Sequence, residues 1–334
     1  MDLQLSDWFA KLKSHSQLES FAFQNSNNSL AQLFVKRDDL IHNEISGNKI
    51  RKLEGNLLAA NKLGANQLMT FGGAFSNHLL ASAAAAKAIG MPIIGKVRGE
   101  ELTEQSNSLL KRCAELGMQL QFLSRSQFAQ EKHKQGLHDI QNLPTWIIPE
   151  GGANPEGIWA CSQIYPEAVS QNNNQHFDAV FIAQGTTTTS LGILASIPPT
   201  TQLFVVPVLK GFDSLAEMQA LATMAQNNPF TANFQFNWQQ VTVLDTYHHG
   251  GYAKTTPELL NFINAFSSLN QFNDANQLNS VNQFLIEPTY TAKALFALHD
   301  LLLKADPRLL PPTIPTPEPK RILFVHTGGI HARN

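Results

Sequence analysis

From residue 67 onward, short apolar and β-branched runs alternate with helical stretches, and several of the runs end in glycine. QLMTFGG (67–73) reads as a strand, and SNHLLASAAAAKAIG (76–90) as an alanine-rich helix stopped by Gly90. MPIIGKV (91–97) reads as a strand, SNSLLKRCAELG (106–117) as a helix and LQFL (120–123) as a strand; a further helix then precedes TWIIPEGG (145–152). This order leaves few folds open, because parallel strands need crossover connections and the helices that make them cover the sheet. A second series follows the helical stretch ANPEGIWACSQIYPEAVS (153–170), with strands at DAVFIAQG (178–185), QLFVVPV (202–208), VTVLD (241–245) and ILFVHTGG (322–329). The expectation is two open, mainly parallel α/β units with a site in the cleft between them. The proline-rich PRLLPPTIPTPEPK (307–320) reads as an ordered surface connection.

Ligands of open α/β sheets sit beyond the carboxyl ends of the strands. Four segments meet that description: GGAFSN, GGAN, QGTTTTSLG and HTGG. Four consecutive threonines at a helix start, Thr186 to Thr189, offer hydroxyls and backbone N–H groups to an anion. The segment is neither a Walker A loop nor GxGxxG. A phosphate cradle and a self-satisfied helix cap both remain open on spacing alone. Ser76, Asn77 and His78 start another helix, where they cap it or grip a polar ligand. The histidines of TYHHGGYAK (246–254) lack metal-ligand spacing, and no metal is expected.

SGNKIRKLE (46–54) places Lys49, Arg51 and Lys52 at one helix start, against the helix dipole. Such cations are either solvated or used. Net charge is −2, so nucleic acid is not the expected partner. The apolar runs are too short to span a bilayer, the first residues lack the apolar core of a signal peptide, and Cys113 and Cys161 form no redox motif. A reducing cytoplasm is the expected location.

VKRDDL (35–40), SGNKIRKLE, FGGAFSNH (71–78), PEGGAN (149–154), GTTTTSLG (185–192), EPTYTAK (287–293) and VHTGG (325–329) occur in this order along nearly the whole chain. Together they resemble the D-cysteine desulfhydrase and 1-aminocyclopropane-1-carboxylate deaminase family of pyridoxal-phosphate enzymes, of the tryptophan-synthase-β-like fold type II. The resemblance implies bound pyridoxal phosphate, a homodimer and a small amino-acid substrate. It implies a large cofactor-binding domain, 1–53 with 162–334, and a small domain, 54–161, inserted into it.

By the same resemblance Lys49 matches the lysine that bonds to the cofactor, with nearby cations lowering its pKa. Lys52 matches a lysine that approaches the phosphate. Asn77 matches the asparagine beside the ring hydroxyl, and Ser76 and His78 match residues facing the substrate, the serine with a part in proton transfer. Gly185, Thr186, Thr187, Thr188 and Thr189 match the phosphate loop. Tyr252 and Tyr290 match two active-site tyrosines, and Thr291 and Thr327 fall near the pyridine nitrogen. The deaminase branch carries a glutamate where this chain has Thr291, and glutamine where it has His78. Neutral hydroxyls leave the ring a weaker electron sink, which suits loss of an α-proton with a β-leaving group. The expected reaction is therefore α,β-elimination of D-cysteine to pyruvate, sulfide and ammonia. Ring-opening deamination of 1-aminocyclopropane-1-carboxylate, and a pyridoxal-phosphate-binding protein without turnover, remain the alternatives.

Overall fold

The computed structural model describes residues 2–23, 31–45, 47–269, 284–310 and 319–329. Ser46 and most of the proline-rich connection, 311–318, lie outside the described residues. Two sheets form. The first contains β1 (Leu18–Phe21), β2 (Ala31–Lys36), β8 (Ala179–Gln184), β9 (Gln202–Pro207), β10 (Val241–Val243) and β11 (Lys320–Val325), in the order β1-β2-β11-β8-β9-β10. The second contains β3 (Gln67–Gly73), β4 (Ile93–Arg98), β5 (Gln119–Leu123), β6 (Gly136–Ile140) and β7 (Leu143–Ile148), in the order β5-β4-β3-β7-β6. All pairings are parallel except two, β1 on β2 and β6 on β7. The mainly parallel α/β expectation therefore holds.

Every residue of β8 is buried, as expected where helices cover both faces of a parallel sheet. α3 (Asn77–Ile89) stops at Gly90, which takes the left-handed conformation at φ 68°. ANPEGIWACSQIYPEAVS differs from its expectation. It forms two helices, α6 (Pro155–Cys161) and α7 (Ile164–Gln171), not one. Pro166 has no N–H to offer the carbonyl four residues back, so the chain restarts its helix after Cys161. Among the described residues no helix is long and apolar enough to cross a membrane.

α2 (Asn48–Lys62) packs against α6, which packs in turn on α8 (Thr188–Leu194), and glycines allow the close approach. A Cβ at Gly55 would lie 2.0 Å from the Glu156 carbonyl oxygen, and one at Gly192 would lie 2.6 Å from Cys161 Cβ. α2 also runs through residues 53 and 54, so it belongs to both expected sequence units.

A buried ion-pair network fixes the start of α2. Arg51 is wholly buried, and its Nε and Nη2 donate to the two carboxylate oxygens of Asp38, each at 2.7 Å. Its Nη1 and Nη2 also donate to Glu167 on α7, at 3.0 and 2.8 Å. Ser16 Oγ donates to Asp38 at 2.6 Å, and Lys36 lies 3.6 Å from Glu167. Burial works against the Asp38 carboxylate, but Arg51 and Lys36 outweigh it and hold the carboxyl below its ordinary range. Arg51 is thus not solvated but wholly engaged in the network.

Removing one member of such a network leaves a buried charge short of its partner. Asp38→Asn should lower the unfolding free energy by ~3 kcal/mol, measured by urea denaturation. An unchanged midpoint would show that Glu167 alone satisfies Arg51.

Candidate active site

A cavity of about 460 Å³ opens where the carboxyl ends of strands from both sheets converge. Its wall takes Asn48, Lys49 and Lys52 from α2 and Gly73 to His78 from the turn after β3. Glu150 and Gly151 come from beyond β7, Gly185 and Thr186 from beyond β8, and Thr327 to Gly329 from beyond β11. Glu44, Arg98, Tyr252 and Tyr290 also line it.

Lys49 and Lys52 lie three residues apart on one face of α2. Lys49 Nζ donates to Asn48 Oδ1 at 2.7 Å, and Asn48 Nδ2 donates to Thr189 Oγ1 at 2.8 Å. Burial lowers the Lys49 pKa to about 8. Neighbouring cations were the expected cause; desolvation takes that place. Lys52 Nζ donates to Thr186 Oγ1 at 2.8 Å and to the Gly151 carbonyl at 3.1 Å. Burial, then repulsion by Lys49, brings its pKa to about 7. Both amines are therefore partly neutral near physiological pH, unlike exposed lysines.

The turn into α2 is built on Gly47, which has φ +64°. A Cβ there would lie 1.8 Å from the Thr327 carbonyl oxygen, so only glycine fits. Asn48 N–H donates to that same carbonyl at 3.3 Å. The first turn of α2 and the end of β11 are thus locked together at the cavity.

His78 is buried, and its tautomer follows from its neighbours. Thr70 Oγ1 donates to the Ile148 carbonyl at 3.0 Å, so it accepts from His78 Nε2–H at 2.8 Å. Nδ1 is then an unprotonated acceptor, and it is buried without a hydrogen-bond partner. Burial, with Lys49 and Lys52 nearby, lowers the His78 pKa to about 3, so the ring is neutral at any working pH.

Tyr290 packs edge-on against Tyr252 with ring centroids 6.1 Å apart. Gly185 leaves it room: a Cβ there would meet the Tyr290 ring at 2.9 Å. Burial and the adjacent Tyr252 phenol raise the Tyr290 pKa well above its ordinary value, so it stays a hydroxyl donor. Two charged residues that sequence reasoning passed over hold the tyrosines. The Glu287 carboxylate accepts the backbone N–H groups of Thr289, Tyr290 and Thr291 at 2.7, 2.6 and 2.9 Å, capping α11 (Thr291–Leu303). Lys293, one turn along α11, donates to the Gly251 carbonyl at 2.7 Å and so ties down the residue beside Tyr252.

Of the residues named from sequence, Lys49, Lys52, Ser76, Asn77, His78, Gly185, Thr186, Tyr252, Tyr290 and Thr327 are brought together at the cavity. Thr187, Thr188, Thr189 and Thr291 are not in its wall; all four are buried. Thr188 Oγ1 donates to the Gly152 carbonyl at 3.3 Å, Thr189 accepts from Asn48, and Thr291 Oγ1 accepts the Glu287 N–H at 2.9 Å. The Thr188, Thr189 and Thr291 hydroxyls serve the protein, and of the four-threonine run only Thr186 lines the cavity. Asn48 and Arg98 are wall residues that the sequence reading did not single out, while Gly151 opens the GGAN turn that it placed at the cleft. For Asn48 the available signal was its place beside Lys49, in a first helical turn.

The profile of the family described as pyridoxal-phosphate dependent enzymes matches residues 18–328. A Thermotoga maritima protein provisionally named 1-aminocyclopropane-1-carboxylate deaminase is 27% identical over 310 residues, covering 89% of this chain and 88% of its own. A D-cysteine desulfhydrase of Serratia proteamaculans is 28% identical over 318 residues, covering 90% and 87%. The crystal structure of an ACC deaminase homologue superposes with a TM-score of 0.70 at 24% identity, over 97% of this chain and 95% of the other, and shows the same fold. This chain belongs to the family of pyridoxal-phosphate dependent enzymes.

Proposed function

We propose that the cavity carries out α,β-elimination on a small amino acid, with D-cysteine giving pyruvate, sulfide and ammonia. The observation that carries this choice is the neutral Thr327 at the end of β11. The two carboxylates in the cavity wall are engaged elsewhere, Glu44 with Arg112 at 2.6 Å and Glu150 with Lys132 at 3.3 Å. No free carboxylate among the described wall residues is then available to strengthen a pyridine ring as an electron sink.

The donor set suits the cofactor of the family. A phosphate needs a cation and short donors, which Lys52 and Thr186 supply beside the start of α8. An aldehyde needs a neutral amine, which Lys49 supplies with a pKa of about 8. When bound, pyridoxal phosphate takes up the electron pair left at Cα. Lys49 Nζ removes the α-proton, with Ser76 on the same wall assisting the transfer. The pair at Cα forms the Cα=Cβ bond as the Cβ–S bond breaks with its own pair on sulfur, the Tyr290 hydroxyl guides the departing group with its proton, and water hydrolyses the released enamine to pyruvate and ammonia. His78, held neutral, acts as a fixed acceptor and not as the base. On the same reading, residues 54–161 are a unit inserted between two parts of the cofactor-binding unit.

A second reading rests on the Thermotoga relative, whose provisional name is that of the deaminase. The two separate by product: pyruvate and sulfide from D-cysteine, or 2-oxobutanoate from 1-aminocyclopropane-1-carboxylate. We expect the first, and 2-oxobutanoate as the sole product would reverse the choice. Lys49→Ala should reduce turnover on the order of 10³-fold, while Lys49-independent activity at the native rate would remove the lysine from the mechanism.

The lowered pKa is measurable without turnover. In the cofactor-free protein, acylation of Lys49 followed by mass spectrometry should rise with pH as Nζ loses its proton, with a midpoint near 8. A midpoint near 10.5, the value of an unperturbed lysine, would show that burial does not set its reactivity.

A further inference from the structure

Arg98 is a cavity cation that the scheme above leaves unused. It ends β4, directly opposite Gly73 of β3 in the parallel register. Its side chain is exposed at the cavity wall, and its Nη2 lies 3.7 Å from where a Cβ on Gly73 would stand. That places the guanidinium over the turn that leads to Ser76, Asn77 and His78. The Phe128 ring, with its centroid 6.0 Å from Cζ, supports the guanidinium without taking a donor. Arg98 makes no side-chain hydrogen bond or ion pair with any described residue.

Three cations line the wall: Lys49, Lys52 and Arg98. Lys52 is bonded to Thr186 and Gly151, and Lys49 is spent on the chemistry. The nearby carboxylates Glu44 and Glu150 are paired with Arg112 and Lys132, so neither neutralises Arg98. A planar fork of five donors therefore faces a ligand cavity with no anion of the protein's own to meet it. The turn below already offers small polar groups and a helix start for the α-carboxylate of an amino acid.

We infer that Arg98 forms a subsite for a second negative charge, carried on the β-substituent of the substrate. The favoured class is amino acids whose side chain is an anion or leaves as one: a thiolate, sulfonate, phosphate or short carboxylate. The inference rests on the elimination reading for which atom departs, but not for the binding preference itself.

Aspartate and asparagine test it, because they match in shape, differ in charge and carry no β-leaving group. Both enantiomers of each are titrated into the cofactor-loaded protein and followed by calorimetry. For the enantiomer that binds, aspartate should bind about tenfold or more tightly than asparagine, in line with a charge-assisted pair. Arg98→Gln should erase that preference, and Arg98→Lys should keep part of it. Equal affinities in the native protein, or a preference that survives Arg98→Gln, would overturn the subsite. So would equal weakening of both ligands in Arg98→Gln, which would put Arg98 on the α-carboxylate. A native protein that makes no pyruvate from D-cysteine, yet prefers aspartate through Arg98, would sink the elimination reading and leave the subsite standing.

Discussion

The geometry of the site depends on one buried interaction, the bidentate pair between Arg51 and Asp38. Successive residues of a helix turn by about 100°, so Lys49 and Lys52 share a face and Arg51 points to the other side. The cavity takes the first two, and the ion-pair network takes the third. Glu167 on α7, Ser16 and Lys36 complete that network, so the first turn of α2 is held from several directions at once. Two amines can then stay desolvated and close together, because the helix carrying them has no freedom to retreat into water. The cost of burying them appears in their lowered pKa values, with repulsion by Lys49 adding to it at Lys52.

Much of this was legible in the sequence. Strands buried on both faces appear as unbroken apolar runs, so β3, β4, β8, β9 and β11 announced themselves, with glycines marking where the chain turns at the cavity. The ordered boxes carried the family. Other features were hidden for physical reasons. β6 is half-exposed, GLHDI, with no apolar periodicity, and it owes its place to an antiparallel pairing with β7. The partner of Arg51 sits thirteen residues earlier, in a short turn, and no local pattern reveals that the two meet. By resemblance the whole threonine run matched a phosphate loop, yet only Thr186, in the bend before α8, lines the cavity, while Thr188 and Thr189 bond to protein partners. Glu287 and Lys293 read as ordinary charges flanking a tyrosine; only the packed helix shows that one caps its start and the other reaches a neighbouring loop.

Close packing and electrostatics act together here. The glycines at 55 and 192 let α2, α6 and α8 approach closely, which brings the starts of α2 and α8 within reach of a common ligand. The bond from Lys52 to Thr186 spans those two starts. A bulkier residue at either glycine would move the amine and the hydroxyl apart before it touched either.

The position of β11 in its sheet has a consequence for how the chain acquires its shape. Late in the sequence, it lies between β2 and β8, pairing along its whole length with β2 and over Ile322–Val325 with β8. While the chain is being made, β2 and β8 exist long before the strand that joins them, so the sheet waits with two open edges. The turn at Gly47 likewise has no carbonyl to close upon until Thr327 has been added. Contacts between such distant parts form slowly, and unpaired edges invite association with other chains. Lys49 is thus held in its pocket only once Thr327 has been added, and a nascent chain that stops short of it presents no finished cavity.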